Sequence, residues 1–126
     1  MQSNSVLLVM SEDMQREFGE LISAQQLEWT GVLNCNTARF ALAKQPDVSV
    51  VVCSDSLPDG SWYCMLREMV NKGLEANLLV VVPAGCDSGT IQSHGIQGVL
   101  TYPPDPAAGR IVAEAALVPV SGYQRK

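Results

Sequence analysis

The chain has 126 residues, of which 47% are hydrophobic and 17% charged, a composition that predicts one globular domain with its own core. Its formal net charge of −5 and isoelectric point near 4.6 argue against nucleic acid and anionic membranes as direct partners. No apolar run approaches the ~20 residues of a membrane-spanning helix. The N-terminus lacks the basic start and cleavage site of a signal peptide, so we expect a cytoplasmic protein.

Cysteine and histidine are too sparse for a structural zinc site. The cysteines show no Cys-x-x-Cys spacing, and the only histidine, His94, is expected at the surface. Free thiols in a reducing compartment are usually buried. We therefore expect Cys53, at the end of an apolar segment, to pack in the core and not to act as a nucleophile.

Five apolar segments with strand-like composition alternate with five helical segments along the chain. In chain order, strands are predicted at residues 5–10, 29–33, 48–53, 77–82 and 98–101. Helices are predicted from residue 14 to about 24–26 and at 37–44, 61–72, 86–94 and 106–117, with Pro46 and Gly73 ending the second and third.

Residues suited to capping precede three of these helices. They are Ser11 with Glu12 and Asp13, then Asn36 or Thr37, then Asp105. Apolar residues recur at helical spacing in three helices, which predicts a buried side for each of them. The predicted buried sides comprise Met14, Phe18, Leu21 and Ile22 in the first helix, Trp62, Met65, Leu66, Met69 and Val70 in the third, and Ile111, Val112, Ala115 and Ala116 in the last.

The third strand, residues 48–53, consists of β-branched and small residues without polar alternation, which is typical of a strand covered on both faces in a parallel sheet. The alternating pattern predicts an α/β fold with a doubly wound five-stranded parallel sheet in the order 2-1-3-4-5, a flavodoxin-like three-layer sandwich. Residues 1–120 are expected to form the domain, and residues 121–126 a polar tail.

In this register, Leu57-Pro58-Asp59-Gly60 after the third strand and Tyr102-Pro103 after the fifth resemble the receiver domain of bacterial response regulators, over residues 5 to about 117. The resemblance implies a signalling domain of two-component phosphorelays, not an enzyme, whose partners are a sensor kinase or an output domain. It also implies a phosphoacceptor aspartate after the third strand. The other implied parts are an acidic pair holding Mg²⁺ after the first strand, a Thr or Ser after the fourth and a Lys after the fifth.

This sequence departs from that pattern at each position. The phosphoacceptor position carries Ser54, the acidic-pair positions Met10 and Ser11, the Thr/Ser position Pro83 and the Lys position Tyr102. Receivers usually also have an aromatic switch residue in the fifth strand, three residues before the Lys, and that position carries Val99. Displaced candidates for the phosphoacceptor and the metal ligands are Asp55, Glu12 and Asp13. Successive side chains of an extended segment point to opposite faces, so a displacement of one residue turns a carboxylate away from its target.

The main hypothesis is therefore a degenerate receiver with no cofactor and no metal, which acts by protein–protein contact without phosphorylation. The alternative is an atypical receiver phosphorylated on Asp55 with Mg²⁺. A flavin binder is a third hypothesis, although Met10-Ser-Glu-Asp13 would put acid beside the phosphate. The last helix, with Arg110 and Glu114, is either a homodimer surface or a solvated face. A cis Tyr102-Pro103 bond, common in receivers, is compatible with the sequence.

Overall fold

The computed structural model describes residues 5–44, 48–72, 76–85, 96 and 98–117. Its main sheet contains five parallel strands in the order β2-β1-β3-β4-β5. The strands are β1 (Ser5–Val9), β2 (Glu28–Val32), β3 (Val48–Ser54), β4 (Asn77–Pro83) and β5 (Gly98–Tyr102). The predicted fold class and strand order are thus confirmed, and the predicted strand ends lie within one residue of the observed ones.

Four described helices cover the two faces of the sheet: α1 (Glu12–Ala24), α2 (Cys35–Lys44), α3 (Trp62–Lys72) and α4 (Ala107–Leu117). Helices α2 and α3 pack on one face and α1 and α4 on the other, each over a separate apolar core. The middle strands are buried on both faces, which explains why residues 48–53 show no polar alternation. No helix in the described part of the chain is long and apolar enough to cross a membrane.

Helix α1 begins at Glu12, two residues before the predicted start, and is capped by Ser11 as the sequence predicts. The side chain of Ser11 accepts a hydrogen bond from the backbone N–H of Met14 at 3.4 Å, and Glu12 and Asp13 occupy the first turn. A carboxylate in a first turn interacts favourably with the partial positive charge of the helix N-terminus. Asp105 likewise accepts the N–H of Ala107 at 2.9 Å at the start of α4, so both predicted caps are confirmed.

The predicted cap of α2, Asn36 or Thr37, is wrong. The helix already begins at Cys35, and the side-chain oxygen of Asn34 accepts the N–H of Thr37 at 2.8 Å. The hydroxyl of Thr37 in turn donates to the carbonyl of Asn34 at 3.1 Å. Asn34 is therefore the capping residue, and Asn36 and Thr37 belong to the first turn.

Two residues predicted on buried helix faces are exposed. Val70 of α3 keeps 42% of its surface accessible and Ile111 of α4 keeps 40%. Both residues lie at the margin of the buried face of their helix. In α3, successive residues are rotated by 100° about the helix axis, which turns Val70 away from the buried residues Met65 and Met69. The other residues predicted on the buried sides are buried or half-buried in the structure.

Helices α1 and α4 approach each other closely at Gly109. A Cβ atom added there would lie 2.6 Å from the carbonyl oxygen of Leu21, which is shorter than any normal contact. The absence of a side chain at residue 109 therefore sets how closely the two helices pack on their face of the sheet.

Some predictions fall outside the described residues. They are the helix at residues 86–94 with His94, the helix ends at Pro46 and Gly73, and the tail at residues 121–126.

Candidate functional site

The candidate site lies at the carboxyl edge of the sheet, where the strands end next to each other. The register pairs Val9 of β1 with Cys53 of β3, Ser54 with Val81 of β4, and Pro83 with Tyr102 of β5. Side chains at these ends therefore decide what the edge can bind.

The end of β1 is closed by apolar packing and backbone hydrogen bonds. Met10 is fully buried, and its N–H donates to the carbonyl of Val32 at 3.0 Å. The amide nitrogen of Gln15 donates to the carbonyls of Met10 at 2.9 Å and Val32 at 3.0 Å. Sequence reasoning missed Gln15, because a glutamine on a helix carries no signal that it will cap two strands. No acidic side chain stands at Met10 or Ser11, and the polar groups of this strand end are satisfied internally.

The displaced acids, Glu12 and Asp13, lie in the exposed first turn of α1. The carboxylate of Asp13 is 3.3 Å from the guanidinium of Arg16, and both side chains are largely exposed. The positive charge of Arg16 offsets part of the negative charge of Asp13.

Ser54 and Asp55 lie at the carboxyl end of β3 in different surroundings. Ser54 is buried, with 9% of its surface accessible, and Asp55 is half-buried. The N–H of Asp55 donates to the carbonyl of Val81 at 2.8 Å, but β3 ends at Ser54 and the chain bends at Asp55. Alternation along β3 places Ser54 on the α1/α4 side with Val52, whereas Asp55 follows at the bend.

A cavity of about 480 Å³ separates the start of α1 from the β3–α3 connection. The connection is a two-residue hairpin in which Ser56–Leu57 pairs with Gly60–Ser61. The cavity wall brings together Ser54 with Ser11, Glu12 and Asp13, but it contains neither Asp55 nor any Lys or Arg among the described residues. The remaining wall is formed by Ser56, Met14, Leu33, Leu57 and Pro58. The two carboxylates of this cavity repel an anionic phosphate, and no cationic side chain of its described wall offsets them.

Tyr102 lies on the α1 side of the sheet edge and does not line this cavity. Its hydroxyl donates a hydrogen bond of 2.6 Å to Glu17, and its ring stacks on Phe18 with a centroid distance of 6.4 Å. The hydrogen bond to the Glu17 carboxylate raises the pKa of the Tyr102 hydroxyl above its ordinary value. The Tyr102-Pro103 bond is cis, as the sequence allowed.

Pro83 is exposed at the end of β4 and offers neither a hydroxyl nor a backbone N–H. The next residue, Ala84, donates its N–H to the carbonyl of Tyr102 at 3.2 Å. Val99 is half-buried in β5 and packs against the α2/α3 core. Neither position supplies a polar side chain to the carboxyl edge.

These residues do not fit a magnesium ion. Mg²⁺ requires oxygen ligands in a near-octahedral arrangement at short range. Asp55 does not line the cavity that Glu12 and Asp13 line, and no group of three metal-binding side chains occurs in the described ranges.

Asp59 has a structural role that sequence reasoning missed. Its two carboxylate oxygens accept the N–H groups of Cys35 at 2.9 Å and Asn36 at 3.0 Å, so it caps α2 from the β3–α3 hairpin. These two hydrogen bonds lower the pKa of the Asp59 carboxyl. A possible signal was α2 itself, which has no acidic residue in its first turn to complement the helix dipole.

The chain was compared with known proteins. No family model and no curated protein matches the sequence. Among solved structures, a receiver domain protein from Clostridium thermocellum aligns with a TM-score of 0.77 at 12% identity, covering 90% of this chain and 94% of that one. A response regulator receiver domain from Methylobacillus flagellatus aligns with a TM-score of 0.76 at 16% identity, covering 92% and 99%.

A third similar structure is the receiver domain of a sensor histidine kinase from Pseudomonas aeruginosa. It aligns with a TM-score of 0.74 at 17% identity over 90% of this chain and 98% of that one, and a magnesium ion is coordinated in its active-site cleft. At these identities the likeness concerns the fold. This chain has the fold of response regulator receiver domains, a flavodoxin-like α/β sandwich.

Proposed function

We propose that this chain, residues 1–120 with a short polar tail, is a receiver-type signalling domain of two-component systems that acts by protein contact without accepting a phosphoryl group. The fold supports the signalling role, since the similar structures are receiver domains. The observation that carries the second part is the cavity beside Ser54, whose described wall contains two carboxylates and no cationic side chain.

Phosphoryl transfer needs positive charge around the transferred group. The attacking carboxylate and the phosphate are both anionic, and their repulsion grows as they approach unless a cation or an ammonium group neutralises it. In this chain Ser54 stands at the position that the resemblance assigns to the nucleophile, and Tyr102 at the position of the lysine. The hydroxyl of Tyr102 is hydrogen-bonded to Glu17 and carries no positive charge. The carboxylate nucleophile and the positive charge of the lysine would then both be missing.

The proposal is tested by incubating the protein with acetyl phosphate and Mg²⁺ and measuring its intact mass. We expect no gain of a phosphoryl group, whereas a receiver domain with a complete site, treated in parallel, should gain one. A stoichiometric adduct on this chain would overturn the proposal. If the adduct disappeared in Asp55→Asn, the alternative of an atypical receiver using Asp55 would hold instead.

The partners proposed are a sensor kinase or an output domain. The similar structures include the receiver domain of a sensor histidine kinase and a two-component response regulator linked to a GGDEF domain. The exposed residues Arg110, Ile111 and Glu114 on α4 form the surface that we assign to a homodimer or to such a partner. Sedimentation of the wild type and of Ile111→Glu tests the homodimer, because a buried glutamate at its centre should shift the equilibrium to monomer.

A further inference from the structure

The strand at one edge of the sheet, β2, has a free side. Among the described strands it pairs with β1 alone. The carbonyl of Val32 accepts the N–H of Met10, the residue that follows β1. Every second residue of β2, counted back from Val32, therefore directs its backbone N–H and C=O toward β1. Trp29 and Gly31, the residues in between, direct their N–H and C=O groups away from β1. These outward groups are a template for one further strand.

The α1 side of this edge is aromatic and acidic. A groove of about 690 Å³ runs along α1 next to the indole of Trp29, and its charged lining consists of Glu12, Glu20 and Arg16. The guanidinium of Arg16 is paired with Asp13, which leaves the groove negative. The indole lies directly against Gly19, where any side chain would overlap it. A cationic side chain entering this groove would find both the face of an indole and carboxylates.

The α2 side of the same edge is apolar with a positive end. Phe40 keeps 62% of its surface accessible, the largest fraction among the large hydrophobic residues of the described part of the chain. It lines a depression of about 270 Å³ together with Thr30, Ala41 and Lys44. Lys44 disfavours a second cation there, whereas an aliphatic side chain would cover the ring of Phe40.

A strand presents its side chains to the two faces in turn, with a period of two residues. A strand added to β2 would place one set of side chains in the groove beside Trp29 and the other set on Phe40. The first set meets negative charge and the second meets an apolar surface with an ammonium group.

We propose that the free edge of β2 binds an extended segment of a partner protein in which basic residues alternate with apolar residues. Backbone hydrogen bonds to Trp29 and Gly31 supply the pairing, and the alternation supplies the specificity. The net charge of −5 on the chain also favours the approach of a basic segment. The inference goes beyond the proposed function, because the edge would bind such a segment whether or not Ser54 or Asp55 accepts a phosphoryl group.

The test uses a capped seven-residue peptide of alternating lysine and valine. We expect amide hydrogen exchange at Trp29 and Gly31 to slow about tenfold when the free peptide is at ten times its dissociation constant. A peptide of the same composition with lysines and valines in separate blocks should give no such protection, and neither should alternating glutamate and valine. Equal protection by the block peptide would overturn the proposal, and so would no protection by the alternating one.

Two variants locate the site. Phe40→Ala and Glu20→Gln should each weaken binding of the alternating peptide by about fivefold, the upper range for one cross-strand pair. Val70→Ala removes an aliphatic side chain of α3 that is also exposed, with 42% of its surface accessible, and should leave binding unchanged. Because Phe40 and Glu20 are exposed, both variants should fold, and far-UV circular dichroism checks this. If one variant does not fold, the binding of the other still tests the proposal. A dimer of the peptide-free protein that Phe40→Ala dissociates would assign the edge to a second copy and overturn the proposal.

Discussion

Tyr102 and Glu17 are joined by a hydrogen bond of 2.6 Å that connects the end of β5 to α1. It has a measurable consequence for titration, because Glu17 raises the pKa of the Tyr102 hydroxyl above its ordinary value of 10.0. A pKa that is higher in the folded state contributes stability that is present below pH 10 and lost as pH rises through the folded pKa.

We therefore expect Tyr102→Phe to destabilise the protein at neutral pH and the difference from wild type to shrink above pH 10. Thermal unfolding midpoints between pH 7 and pH 11 measure this. Glu17→Gln is the matched control, since it keeps an oxygen acceptor and removes the charge. In that variant ultraviolet titration should show Tyr102 ionising at a lower pH than in wild type. An unchanged tyrosine titration would contradict the assigned contact.

The contribution of Asp59 to folding stability should depend on pH in the opposite direction. The N–H groups of Cys35 and Asn36 lower the pKa of its carboxyl below the ordinary 3.8. The associated stability is thus present above pH 3.8 and lost as pH falls through the folded pKa. Asp59→Asn should lower the unfolding midpoint at pH 7, and the gap to wild type should narrow in strong acid. Asp55→Asn, four residues earlier, removes a carboxylate that caps no helix and should have a smaller effect at pH 7. Equal effects of the two substitutions would argue against the cap.

Gly109→Ala sets two effects of known sign against each other. Helix propensity alone would stabilise α4 by ~1 kcal/mol. The new Cβ would lie 2.6 Å from the backbone oxygen of Leu21, and overpacking of this kind costs ~1–3 kcal/mol. We expect a net loss of about 1 kcal/mol in urea unfolding. Arg110→Ala, at the exposed neighbouring position, should change stability by less than about 0.5 kcal/mol. A Gly109→Ala protein more stable than wild type would show that α1 and α4 pack less closely.

The cysteines should differ in reactivity. Cys53 is fully buried, and burial raises the pKa of its thiol strongly, so little thiolate forms. Cys64 is half-buried at the start of α3. Alkylation of the native protein with iodoacetamide at pH 8, mapped by peptide mass spectrometry, should label Cys64 well before Cys53. In denaturant the two rates should become similar. Fast native labelling of Cys53 would mean that the end of β3 opens readily.

The sheet could be predicted because its signals are local. The run Val50-Val-Val52 can be buried on both faces only in a covered sheet, and helical spacing identified α1, α3 and α4. The predictions of buried residues were wrong at the edges of the buried helix faces. Val70 and Ile111 are apolar residues whose exposure depends on where neighbouring helices lie, which spacing within one helix does not determine.

The site could be predicted only in part for the same reason. The sequence predicted Ser54 at the end of the buried third strand and Asp55 one residue later. The contacts that define the edge join residues distant in sequence, such as Tyr102 with Glu17 and Asp59 with Cys35. No motif announces such pairs, because each member is an ordinary surface residue until the fold brings its partner near.

The burial of Met10 has a consequence for how the protein responds to its surroundings. Neighbouring carboxylates in a metal pocket repel each other, so such a site weakens the folded state until an ion binds. A thioether in the same place contributes to the core at all times. We therefore expect chelators and changes in divalent-ion supply to leave the thermal unfolding midpoint of this protein unchanged.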